Sequence, residues 1–126
     1  MRVMGAILAY VAAAVVAVWG VLHAVPTRRV VAGFEPVTKD NRRVITQEWL
    51  AEALTMWGIA GIVVAATAAG GPADARDWVY RAAAALLIAL GVLTALTGAR
   101  TPVIWFKVCP FLQIGSAILL IVASLQ

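Results

Sequence analysis

One cysteine, one histidine and six acidic residues are all that this chain of 126 residues offers to metal, redox or acid–base chemistry. A lone thiol, Cys109, excludes an internal disulfide and any multi-thiolate metal site. His23 has no second histidine or thiolate at ligand spacing, so the sequence supplies neither a zinc set nor a haem pair, and no metal or cofactor is expected. Charged residues make up only 13% of the chain, against roughly 25% in soluble domains. That deficit excludes an ordinary water-soluble fold. The net charge of +4 is gathered beside apolar runs, a pattern that touches lipid head groups and sets topology rather than binding nucleic acid.

What fills the chain instead is hydrocarbon: 63% hydrophobic residues and a mean hydropathy of +0.96. Four apolar runs approach the ~20 residues needed to cross a bilayer core. The fold expected is an all-α integral membrane protein, a single four-transmembrane-helix bundle. Its spans are 3–25, 47–69, 78–98 and 103–124, with a polar connector over 26–46. The start at Met1 and Arg2 imitates a secretory signal, but the first run is too long for a signal core. Thr46 is the expected N-cap of the second span, which places Glu48 in its first turn. Gly70-Gly71-Pro72 ends that span. Asp74 or Asp77 is placed to cap the third, with Asp77 and Arg81 at pairing distance along it. Pro110 should bend the fourth span and free the Phe106 carbonyl.

Small residues recur every four positions at Gly5, Ala9, Ala13 and Ala17, and again at Gly61, Ala65 and Ala69. Such stripes let a second backbone approach closely, within the bundle or in a homodimer. Basic residues bias the topology. Arg28, Arg29, Lys39, Glu35, Asp40, Arg42 and Arg43 make the connector strongly polar, and Arg100 and Lys107 fall on the same side. Only Arg2, Arg76 and Arg81 fall on the other. The positive-inside rule then makes the connector side cytoplasmic and leaves both termini outside, in a multi-pass inner or plasma membrane protein. On this topology one end of the bundle is a polar mouth, and the opposite half is expected to be nearly pure Ala, Val, Leu and Ile.

The mouth contains the candidate site. Glu52 lies one turn, about 6 Å, deeper than Glu48, where a carboxylate must pair, reach water or hold a proton. His23 and Arg100 are its expected company, and a histidine beside a membrane carboxylate suits a proton relay. Trp19 and Trp57 could line a pocket; core packing is the plainer role for both. Cys109 and Gln113 share a stripe of the fourth span with Trp105 and Ser116, whereas Lys107 points away and snorkels. Cys109 has no base nearby in sequence and reads first as a packing residue. Gln113 is deep enough to need an interhelical hydrogen bond.

Two functional readings stand level. One is a dimeric small-solute or ion-coupled transporter, or a small-molecule-binding protein, with Glu52 as the coupling carboxylate. The other is a non-catalytic subunit or assembly factor of a larger membrane complex. A membrane enzyme acting on a lipid or quinone through His23, Glu52 and Cys109 ranks below both, because no catalytic constellation is assembled. In architecture the chain resembles the small multidrug resistance exporters, but their key glutamate lies in the first helix and this first span contains none. The Asn- and Phe-bearing motifs of the small four-helix fluoride channels are absent as well.

Overall fold

A computed structural model describes residues 2–34 and 36–126; Met1 and the connector's Glu35 lie outside the described residues. The described residues are mostly helical and include no strand. Helix α1 runs Arg2–Ala24, the short α2 Thr27–Ala32, α3 Lys39–Ala68, α4 Ala73–Leu96 and α5 Ile104–Ala123, with one 3-10 turn at Gly98–Arg100. Four of these helices are long and apolar enough to cross a membrane.

The second long helix begins earlier than expected. Thr38, not Thr46, is the N-cap: its hydroxyl accepts the Asn41 amide at 3.2 Å. By Thr46 the helix is already running, and that hydroxyl donates back to the Arg42 carbonyl at 2.8 Å. Two turns of the polar connector are thereby helical, and α3 reaches 30 residues, about 45 Å. Glu48 consequently stands in the third turn, exposed, too far from the helix start to feel the macrodipole. At the other end Gly70 takes a left-handed φ of +62°, the conformation glycine adopts without steric penalty. Helix α4 starts directly after Pro72, with no side-chain cap from Asp74 or Asp77. Asp77 pairs with the adjacent Arg76 at 3.4 Å instead of with Arg81.

Helix α1 packs against α3 on one side and α5 on the other, and α5 packs against α4, while α3 and α4 touch only slightly. The shared core joins Ala9, Ala12, Ala13 and Val16 of α1 to Met56, Ala60 and Val63 of α3, with Leu87 of α4 and Leu120 of α5. Alanine and glycine at these crossings let backbones close in. A Cβ on Gly5 would stand 3.1 Å from the Ala123 carbonyl, and one on Gly91 would stand 2.9 Å from Ile114. The first small-residue stripe therefore packs inside the chain. The second does not: Gly61, Ala65 and Ala69 face outward, and a Cβ on Gly61 would meet nothing within 4 Å. Helix α3 turns Ala53, Met56, Ile59, Ala60 and Val63 inward, a stripe of larger side chains that fills the space between helices where glycine would leave gaps. Helix α5 runs through Pro110 without interruption.

Candidate functional site

The last turn of α1, an early turn of α3 and the first turn of α5 meet where α1 stops at Ala24. His23, in its last turn, is 8% exposed. Its ring stacks on Trp49 of α3, with centroids 3.9 Å apart and planes inclined by 14°. Two hydrogen bonds tie the same pair together: His23 Nε2 lies 3.1 Å from the Trp49 carbonyl, and Trp49 Nε1 donates to the His23 carbonyl at 2.9 Å. A carbonyl can only accept, so Nε2 carries the proton in this arrangement. Phe106 of α5 closes the stack edge-on, 5.7 Å from Trp49. The second exchange also satisfies a carbonyl of α1's last turn, which has no partner within its own helix.

Glu52 reaches this ring assembly from one turn further along α3. Its Oε2 lies 3.6 Å from His23 Nε2, with the carboxylate side chain 29% exposed. The imidazole is thus held inside while the carboxylate keeps a partial path to the outside. Deeper still, Trp19 of α1 donates its indole N–H to Cys109 Sγ of α5 at 3.0 Å. Cys109 is buried and free. That contact gives the thiol a partner and no base, in keeping with a packing role.

The remaining sequence candidates divide. Arg100, on the 3-10 turn, is exposed, and its guanidinium makes no ion pair among the described residues; it does not accompany Glu52. Lys107 is exposed as well. Trp57 lies apart from Trp19, on the outer side of α1 and α3, where its N–H donates to the Ala17 carbonyl at 3.1 Å. Gly20 makes room for it, since a Cβ there would fall 2.6 Å from Trp57 Nε1. Trp57 forms one wall of an open apolar groove of about 490 Å³ with Tyr10, Ala14 and Gly61. Gln113 is 2% exposed, and neither end of its amide has a hydrogen-bond partner. The interhelical bond expected of it is not made.

Two features escaped the sequence reading. Trp49 is one of five tryptophans in the chain, and nothing local marks it as the residue that both stacks on and brackets the histidine. Its i,i+3 spacing to Glu52, which puts the two on one face of α3, is the only available signal. The opposite end of the bundle is the other. It is not bare hydrocarbon. Tyr80, 1% exposed, bonds Thr67 at 2.7 Å, and Thr67 donates onward to the Val63 carbonyl at 2.6 Å. Arg81 donates to Ser124 at 3.3 Å and lies over the Trp78 ring. Among the described residues no group of three His, Cys, Asp or Glu side chains could hold a metal ion. Comparison with known proteins returns no match: no family model, no curated protein and no solved structure resembles the chain closely enough to align with it.

Proposed function

We propose that this chain is a four-span membrane protein that takes up a proton at the His23–Glu52 pair and couples it to the handling of a small solute. The observation that carries the reading is the 3.6 Å approach of a carboxylate to a buried imidazole, where α3 passes from its polar start into its apolar stretch. Ionisable groups at such depth are expensive unless paired or hydrated, and they mark proton and ion paths in membrane proteins. An imidazole and a carboxylate together can hold or release one proton with little change in geometry. The basic residues of the connector support a cytoplasmic location for this end, with both termini outside.

Four helices around an alanine-rich core enclose little space, so the working unit is a homodimer. The Trp57 groove and the outward Gly61, Ala65 and Ala69 offer a smooth face for the second copy. The same groove equally favours a second reading, in which that face receives a helix of a larger complex and the chain is a non-catalytic subunit. Gentle purification followed by native mass spectrometry separates the two: a clean homodimer supports the first and a retained foreign chain the second.

Proteoliposomes loaded with a pH-sensitive dye test the coupling residue. After an external acid jump, the intact protein should acidify the lumen faster than empty vesicles, and Glu52→Gln should return the rate to the empty-vesicle value. Equal rates for Glu52→Gln and the unaltered protein would remove Glu52 from the mechanism.

A further inference from the structure

The cations at the two ends of the bundle are not equally engaged. At the Tyr80 end Arg76 pairs with Asp77 at 3.4 Å, and Arg81 donates to Ser124 at 3.3 Å. At the His23 end Arg28 and Arg29 of α2 are exposed, and their guanidinium groups make no ion pair among the described residues. Lys39, which opens α3, is exposed as well. Arg43 meets only Asp40, at 3.3 Å and in full contact with water, so that pairing leaves its charge largely available.

These cations are held on packed helices. The Thr27 hydroxyl donates to the Ala24 carbonyl at 2.5 Å, which fixes the turn from α1 into α2. Val31 is buried where α2 packs on α3. The early cap at Thr38 makes the first turns of α3 regular helix. Little side-chain and backbone order then remains to be lost when an anion arrives.

Their level and their neighbours identify the anion. The stack of His23 on Trp49 marks where α1 stops. Arg43 and Lys39 precede Trp49 by about 9 and 15 Å along an upright α3. That interval takes in the head-group zone, roughly 5–7 Å deep on each side of the hydrocarbon core. Val25, Phe34 and Val44 are exposed among the same cations. A soluble acidic partner would gain nothing from them, whereas at a membrane surface they enter the acyl boundary while guanidinium groups meet phosphates.

We propose that α2 and the first turns of α3 form a binding site for the head group of an anionic phospholipid, with Arg28, Arg29, Lys39 and Arg43 as its cations. This goes beyond the proton-coupling reading and does not depend on it. Each Lys or Arg near an anionic surface strengthens binding about five-fold.

Native mass spectrometry of the full chain, released from nanodiscs of equal parts phosphatidylcholine and phosphatidylglycerol, tests the site. Retained phosphatidylglycerol should exceed retained phosphatidylcholine at least five-fold. Arg28→Gln combined with Arg29→Gln should bring the ratio close to one, and Lys39→Gln combined with Arg43→Gln should lower it independently. All four side chains are exposed, so the helix packing does not rest on them. Arg81→Gln, at the opposite end, should leave the ratio unchanged. Equal retention of the two lipids by the unaltered protein, a preference that survives both double substitutions, or an equal loss with Arg81→Gln would overturn the site. Inorganic phosphate or a hexaglutamate peptide, added at matched ionic strength, should not displace the lipid; displacement by either would make the ligand a soluble anion and overturn the proposal. Glu52→Gln should keep the lipid preference, so failure of proton entry and failure of lipid retention are read separately.

Discussion

The two ends of the bundle solve the same problem with different chemistry. At each, helices that share an apolar core must also satisfy polar groups close to it. The Tyr80 end does so with hydroxyls inside and guanidinium groups toward the rim: Tyr80, Thr67 and the Val63 carbonyl form a directed chain, and Arg81 covers Trp78. The His23 end reverses the order, placing the titratable ring inside and an aromatic shell around it. On the proposed reading, the contrast separates an end that holds helices together from one that responds to protons.

Substitutions can break this contrast in graded steps. Trp49→Ala should act most strongly, because it removes the stack on His23, the edge contact with Phe106 and the donor to the His23 carbonyl. A loss of about 3 kcal/mol is expected, read as a shift in denaturation midpoint in mild detergent. Tyr80→Phe removes one hydroxyl while Thr67 retains its bond to Val63, so a loss of about 1 kcal/mol is expected and proton entry should be unchanged. A defect in acidification from Tyr80→Phe would erase the distinction between the ends. Arg43→Gln should be smallest of all. Its pairing with Asp40 spans 3.3 Å between side chains 69% and 88% exposed, and such pairs contribute little; no change in midpoint is expected.

The helices were legible because hydrocarbon runs of bilayer length admit few alternatives. Their ends were less so. Thr46 and Thr38 are both competent caps, and only the continued helical path through Asn41 and Arg42 decides between them. Small-residue stripes have the same ambiguity: Gly5 and Gly61 look alike in sequence, yet one meets Ala123 and the other meets nothing. The meeting of His23 with Glu52 follows from the antiparallel packing of α1 and α3, which the short connection makes natural. The Tyr80–Thr67 contact was hidden because tyrosine and threonine at helix ends usually face outward, and a helical wheel does not show which neighbour a buried hydroxyl will find. Arg100 was misplaced for a similar reason: nearness in depth does not bring a side chain on a turn across to another helix.

The bond from His23 Nε2 to the Trp49 carbonyl has one more consequence. Because that nitrogen already holds its hydrogen toward an acceptor, an arriving proton must land on Nδ1, on the other side of the ring. Glu52 then faces the N–H it faced before, now on a cation, and the imidazole charges without turning over. On the proposed reading the ring takes its charge in place, with Nε2 still directed at the Trp49 carbonyl and at Glu52.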